Sequence, residues 1–556
     1  MAESENKTGT TGITTGRRQI FSDFTEVTED NIIQILSESF AEHSQNVPEI
    51  IYLKRYEKGD QPILNRTKEI RPEINNKIVE NNAHVAIQFI IGYQYGQPIS
   101  YVQRSKKDVD SVTTKDSDSQ SDEMGVGLLN EMMFEQNKAS KDLRMAKDFK
   151  TCGCGYRLVL PNRHKDEVSP FEIMVLNPLT TYVVYTNDSY REPLLAVSYV
   201  ELKNGGIKFG AYSKTLYFEV IRTIEENSAG KNSAGQNKKR EIFQGLTVSE
   251  NGIGEIPIIE YINDYERMGA FERAIPVMDA INIVTSDRMN DISQHVQSLL
   301  WLHNAELNKD ERNYLKNGGI IMTKNNDGLQ ANIKYLESIL DQSATQSLVD
   351  YLYDQYLQLT GIPGREQSTG GNTGTAVMLS NGWQLAESYA NSSDLIFDES
   401  EKQFLRVVLA ICRNMESRSP KQVRDLKLSD IQIHHGRKKD YELVQKTTAL
   451  ATLINTGVDG NTAFTTVNLF ADSQQAWNDS REIVEGIQRK LIAEIKQSSE
   501  QSADVTDTNV GNKSNQATDA DLEIGYSDQT AEAIVDSIIS SLKPMKENID
   551  KALAGE

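Results

Sequence analysis

Three groups of residues carry types and spacings that chemistry could use. Cys152-Gly-Cys154 places two thiols one residue apart, as a redox or metal site would. A structural zinc site takes four ligands from recognisable pairs, and Cys412 is the only other cysteine. The pair therefore reads as a strand entering a sheet. His434-His435 ends an alternating stretch. Neighbours on a strand point to opposite faces, so these two rings do not converge on one ion. The third group is the loop Gly361–Gly374, which contains Gly370-Gly371-Asn372-Thr373-Gly374 ahead of a helix. Glycines before a helix N-terminus can cradle a phosphate, but the Lys-Ser/Thr of a nucleotide loop is missing. No G-x-S-x-G elbow, H-E-x-x-H pair or G-x-G-x-x-G turn occurs. The carboxylates are scattered, and no two pair as acid and base. The residues point to no catalytic group, no cofactor and no metal.

The elements around that loop are unusual. Phe271, Ala274, Met278, Ile281, Val284, Met289, Ile292, Val296 and Leu299 recur at helical spacing, so Met268–His303 is expected to be one long helix. A shorter helix precedes the loop, and a second long helix is expected over Thr375–Cys412. Each long helix would span roughly 50–60 Å at 1.5 Å per residue, against about 11–12 residues for an ordinary helix. Pro276 is expected to start or kink the first, and Gly382 to weaken the second by about 1 kcal/mol.

Upstream, helices are expected over residues 28–43, 50–59 and 75–95, with Gln61–Arg66 as an extended linker and Ile99–Gln103 as a strand. Residues 105–121 read as a mobile loop and Met124–Ala146 as a helix. Gly153–Leu160, Phe171–Leu176, Thr181–Tyr185, Leu194–Val200, Ile207–Ala211, Leu216–Ile224 and Ile256–Tyr261 are β-type runs. Those from Phe171 to Ile224 read as one antiparallel meander, with 225–240 as a hairpin tip and Ile256–Tyr261 as the last strand before the first long helix. Gly318–Thr323 and Leu428–His434 read as strands, and Tyr441–Thr456 and Gln475–Gln497 as helices joined by a turn at Gly457–Asn461.

The chain has 556 residues, 38% of them hydrophobic, and a net charge of −21. That length allows several domains, and that charge repels nucleic acid at long range, which excludes sequence-specific DNA binding but lets DNA slide. Three cysteines argue against a disulfide framework. The start lacks the basic and apolar regions of a signal peptide, and no run of about 20 apolar residues crosses a membrane.

Four ordered segments resemble the portal proteins of tailed bacteriophages, of the type found in phages of Gram-positive hosts. They are Tyr52-Leu-Lys-Arg-Tyr-Glu-Lys-Gly-Asp-Gln-Pro-Ile-Leu-Asn-Arg66, then Asn75-Asn-Lys-Ile-Val79 with Gly92-Tyr-Gln-Tyr-Gly-Gln-Pro-Ile99. Next come Ile256-Pro-Ile-Ile-Glu-Tyr-Ile-Asn-Asp264 through Phe271-Glu-Arg-Ala-Ile-Pro-Val-Met-Asp-Ala280 to Ser286-Asp-Arg-Met-Asn-Asp291, and finally Gly361-Ile-Pro363 with Gly371-Asn-Thr-Gly-Thr-Ala376. The family's lysine-rich continuation is absent from Val377–Trp383.

The resemblance implies an α+β portal-protein fold with a mixed α/β wing, long stem helices, a small α/β clip, a long wing helix and a helical crown. By position, 1–16 is a disordered tail, 17–267 the wing, 268–303 the first stem helix and 304–342 the clip. The second stem helix is 343–360, the tunnel loop 361–374, the long wing helix with its strand 375–440, and the crown 441–497. Residues 498–556 form a mostly disordered tail with a helix over 529–554. It further implies a ring, a dodecamer, at one capsid vertex of the virion, assembled in the host cytoplasm. Double-stranded viral DNA would be packaged and ejected through its channel. The implied partners are the terminase motor, the head–tail adaptor, major capsid and scaffolding proteins, and DNA passing non-specifically, with no membrane. In the tunnel loop, Arg365, Gln367, Ser368, Thr369, Gly370, Gly371, Asn372, Thr373 and Gly374 would face DNA. The alternatives are another phage structural or adaptor protein, or a carboxylate- and metal-dependent hydrolase.

Overall fold

The computed structural model describes residues 16–69, 71–104, 117–164, 168–203, 205–231, 237–296, 299–303, 332–336, 342–364, 382–437 and 443–467, with scattered positions to 489. Contacts divide the chain into a unit ending at Ser480 and a second, Arg481–Glu556, that lies almost wholly outside those residues.

Strand β1 (Ile20–Ser22) is followed by helix α1 (Ile32–Glu57). Two helices are expected there; one forms. Ile32, Ile35, Leu36, Ser39, His43, Asn46, Ile50, Leu53 and Tyr56 make a single buried stripe across Pro48. Pro48 is exposed, as is Ser44, whose carbonyl it leaves without a helical partner. Burial of the stripe outweighs a proline cost of about 3 kcal/mol. Gly59, at φ 96°, ends the helix as expected. Residues Pro62–Asn65 form a 3-10 turn instead of an extended linker, with proline at its first position, where fixed φ is favourable.

Helix α2 (Asn82–Tyr95) starts seven residues later than expected. Strand β2 (Ile99–Gln103) follows. The helix expected over 124–146 is two: α3 (Ser117–Glu135) and α4 (Lys138–Cys152). The break lies at Asn137, which adopts φ 51°, a conformation asparagine tolerates better than most residues.

The expected single meander is two sheets. Strands β3 (Cys154–Pro161) and β4 (Phe171–Leu176) join β10 (Ile258–Ile262) in the order β10-β3-β4, all antiparallel. Strands β5 (Thr181–Thr186), β6 (Pro193–Glu201), β7 (Ile207–Tyr212), β8 (Leu216–Lys231) and β9 (Asn237–Glu250) form the true meander. Strand β1 adds to it in parallel beside β5. The hairpin of β8 and β9 runs into the stretch expected to be its tip, because main-chain pairing needs no buried side chain. One face of this sheet buries Val184, Leu195, Phe209 and Phe218 against Ile32, Ile35 and Leu36 of α1.

The first long helix is shorter than its periodicity suggests. Helix α5 runs Ile275–Val296, 22 residues or about 33 Å, after a 3-10 turn at Glu272–Ala274. Pro276 lies in its first turn, where a missing N–H costs nothing. Leu299–His303, expected to be helical, is strand β11, paired antiparallel with β12 (Asn332–Leu336). Five ladder partners claim that apolar, aromatic run. The strand expected at 318–323 lies outside the described residues.

Helix α6 (Gln342–Thr360) matches its expectation closely. Helix α7 (Trp383–Asn414) has 32 residues, about 48 Å. Gly382 is its N-cap at φ 79°, not an interior residue, so no mid-helix penalty arises. Residues 375–381 lie outside the described part. A short helix α8 (Lys421–Arg424) leads to β13 (Ile431–His435), antiparallel to β2. Helix α9 (Leu443–Asn455) is as expected; α10 (Gly460–Val467) was not anticipated. The helix expected over 475–497 falls mostly outside the described residues, and that over 529–554 entirely so. The main core gathers Ile87, Phe149, Phe271, Met278, Tyr356 and Phe404, with their neighbours, between the helices and the smaller sheet.

Candidate functional site: the loop root and the frame that holds it

Arg365, Gln367, Ser368, Thr369, Gly370, Gly371, Asn372, Thr373 and Gly374 all lie outside the described residues. The two ends of their segment are described, and they meet. A Cβ placed on Gly382 would stand 3.7 Å from the Cα of Pro363 and 4.0 Å from the nitrogen of Gly364. The chain therefore leaves α6 and enters α7 at one point. Gly361 turns out of α6 at φ 68°, and a Cβ there would meet the Tyr389 ring at 2.3 Å. Only glycine satisfies both the angle and the contact.

Helix α5 is held by a clasp that sequence reasoning read as helix. Residues 75–81 are neither helix nor strand and run along it. Asn290 Oδ1 accepts from the backbone N–H of Asn76 at 2.6 Å and from its amide at 3.1 Å. Ser286 Oγ accepts from Ile78 N–H at 2.9 Å, and Asn282 Oδ1 from Glu80 N–H at 3.0 Å. Ser293 Oγ accepts from the Asn76 amide at 3.1 Å. Asn282, Ser286, Asn290 and Ser293 stand four, four and three residues apart, so one helical face supplies the acceptors that a strand partner would. A polar stripe at helical spacing beside the apolar one is the signal that could have found this. Asn290→Ala is expected to cost about 1–3 kcal/mol. It should speed hydrogen exchange at the Asn76 amide before that of α5, which exchange mass spectrometry reads.

Helix α7 is fixed by two ion clusters. The first is fully buried. Glu401 accepts from Tyr101 and Tyr261 hydroxyls at 2.6 Å each, from Arg157 at 2.9 Å and from Lys138 at 2.8 Å. Asp142 pairs with Lys138 at 2.6 Å and with Arg157. The Arg157 guanidinium lies 4.5 Å from the Phe404 ring centre. Two cations and two carboxylates balance, and they join α4, β2, β3, β10 and α7. Burial raises the Glu401 carboxyl, but Lys138 and Arg157 outweigh it and hold it at about 2. In the second cluster Arg437 pairs with Glu387 at 2.8 Å and with Asp394, and His435 Nε2 bonds Asp398 at 2.7 Å. Tyr93 also donates to Glu387. His435 thus belongs to an ion cluster locking β13 to α7.

The cysteines do no visible chemistry. Cys152 ends α4, Cys154 begins β3, and Cys412 lies on α7, all buried. Burial pushes the Cys152 thiol well up and those of Cys154 and Cys412 to about 12, so they stay protonated. Among the described residues no three His, Cys, Asp or Glu side chains gather as metal ligands would. No described helix is long and apolar enough to cross a membrane.

Buried charge clusters, a polar clasp and a glycine-closed loop root define a structural frame of the α+β class. The chain belongs to the phage portal protein family, SPP1 Gp6-like, whose model matches residues 36–454. That family is structural, and membership makes the chain a component of the virion at the head–tail connection. No curated protein matches the chain. A solved structure described as the neck of an empty GTA particle, computed with C6 symmetry, aligns at 12% identity and TM-score 0.34 over 70% of this chain and 90% of its own.

Proposed function

We propose that the chain is the subunit of a ring channel at one capsid vertex, through which double-stranded viral DNA is packaged and ejected. The carrying observation is the family match over residues 36–454, which runs from the first turn of α1 to the last turn of α9. In this reading 17–267 is the wing, α5 and α6 are the stem, and 304–342 is the clip that docks the packaging motor and later the head–tail adaptor. Capsid and scaffolding proteins meet the outer wing, and the ring assembles in the host cytoplasm. Helix α7 is the long wing helix, and 441–497 is the crown. The subunit carries DNA without catalysing a reaction.

The loop 361–374 is the tunnel loop. Its uncharged Gln367, Ser368, Thr369, Asn372 and Thr373 touch passing phosphates, and Arg365 is its cation. A charge of −21 per subunit, multiplied around a ring, keeps DNA from adhering to the wall. Replacing Gly370–Gly374 with a rigid segment is expected to leave the ring intact and to lower DNA packaged per particle severalfold. Particle counting with a nuclease-protection assay measures both. Unimpaired packaging would remove the tunnel role from this loop.

A further inference from the structure

A cavity of about 240 Å³ lies beside the loop root, between α2, the end of α4, the 263–273 turn, the end of α6 and α7. Its walls mix apolar and aromatic side chains, Phe89, Ile90, Ala386 and Ile396 among them, with polar ones such as Asn263, Asp264 and Ser392. Lys150, 2% exposed, lines it. Lys150 Nζ donates to Ser393 Oγ at 2.6 Å and sits 5.4 Å from the Phe149 ring centre. Among the described residues no carboxylate pairs with it. The other cation of the lining, Arg273, is committed to Asp264 at 2.8 Å and Glu266 at 2.6 Å. Gln94, 7% exposed, also lines the cavity, and its Oε1 has no hydrogen-bond partner. A half-turn of that amide presents its NH2 to the same space.

A buried cation with no carboxylate in contact is costly, and a buried amide without a partner adds to the cost. One uncommitted cation suits one negative charge, and a phosphate dianion would remain half neutralised. The apolar side chains of the wall suit a hydrocarbon stem. We propose that this cavity binds a carboxylate monoanion on a short apolar stem, its oxygens on Lys150 Nζ and the Gln94 amide. Two sources share that chemistry: a free short-chain carboxylate, and an acidic side chain of a second copy of this chain. Either occupant would brace Thr360 and Gly361 against α7. The inference is independent of the channel reading.

Burial lowers the Lys150 ammonium to about 7, while Asp264 and Asp394 oppose and Arg437 assists. Tyr95, whose ring is 5.9 Å from Nζ, and Tyr93, Tyr389 and Arg273 of the lining complete the titratable surroundings. Anion binding therefore takes up a proton above that pH and weakens as pH rises.

The test titrates the full-length protein with butyrate and with neutral butanamide by calorimetry, at about pH 6 and about pH 8.5. Butyrate is expected to bind about tenfold or more tighter at the lower pH, and tighter than butanamide. Lys150→Met should abolish the difference, and Ala386→Leu, which fills the cavity, should abolish binding. If Lys150→Met fails to fold, the wild-type comparison of pH and of the two probes decides. Equal binding of butanamide, or affinity independent of pH, overturns the proposal. Binding by both dilute subunits and assembled protein indicates a free carboxylate. Binding by dilute subunits alone indicates a side chain from a neighbouring copy. Binding by neither overturns the proposal.

Discussion

Arg157→Met is expected to lower the stability of the frame by about 3–5 kcal/mol, because it strands two buried carboxylates on one lysine. Arg157 is fully buried and bonds Glu401, Asp142 and the Tyr261 hydroxyl. Its removal leaves Glu401 and Asp142 sharing Lys138, one net negative charge in a dry core. Adding Glu401→Gln restores balance, since Lys138 and Asp142 remain as a pair at 2.6 Å. The double variant should therefore cost less than the two single variants summed, by about 1–3 kcal/mol. Denaturant unfolding of all four proteins closes that cycle, and simple additivity would mean the groups do not act as one cluster.

The same cluster sets an acid limit. The Glu401 carboxyl titrates at an ordinary 4.5 when unfolded and at about 2 when folded. The unfolded chain binds the proton first, so the stability this group contributes is present above about pH 4.5 and drains away as pH falls towards 2. In Arg157→Met, Lys138 is the one cation left in the cluster, with the Tyr101 hydroxyl, to oppose the burial that raises the carboxyl. Acid unfolding should then begin at higher pH than in the wild type.

Gly153→Ala is expected to have an effect of similar size for a steric reason. Gly153 joins α4 to β3 at φ 85°, and a Cβ there would stand 1.9 Å from the Arg267 carbonyl oxygen. That oxygen belongs to the backbone of the turn leading into α5 and accepts from Arg17 N–H at 3.0 Å. Nothing flexible can yield, so the turn itself must move. The loss should exceed about 3 kcal/mol or prevent folding. Gly382→Ala is the control: its φ of 79° is equally unfavourable, but nothing lies closer than 3.7 Å. It should cost only about 1 kcal/mol. Thermal melting of the two variants separates strain from collision, and equal losses would contradict the collision.

These residues also mark what the sequence could and could not reveal. The Cys152-Gly-Cys154 stretch was legible as a passage into a sheet, and the structure makes it one. Strands β2 and β13 were each expected as strands, the second from its alternation, but their pairing across more than three hundred residues was not visible. Helix α6 was legible as a shorter helix that the glycine-rich loop from Gly361 cannot continue. The end of α5 was misread because periodicity cannot see competing partners, and the start of α7 because Gly382 caps the helix. Leu299–His303 keeps the helical spacing yet finds a strand in Asn332–Leu336. Residues 75–81 look helical until Asn282, Ser286 and Asn290 supply acceptors from another element. The Arg157–Glu401 cluster left no local trace, since its members are separated by up to 300 positions. The proposed tunnel-loop residues were assigned from family resemblance, and the frame supplies only the closed root from which they depart.

The central claim is a ring built from many copies of this frame. Electron microscopy of the purified full-length protein, with native mass measurement of the same sample, tests it most directly. The account predicts closed rings with a continuous axial hole and a mass that is a whole multiple, about a dozen, of the 62.4 kDa subunit. Solid particles of one subunit mass, persisting at high concentration, would contradict it.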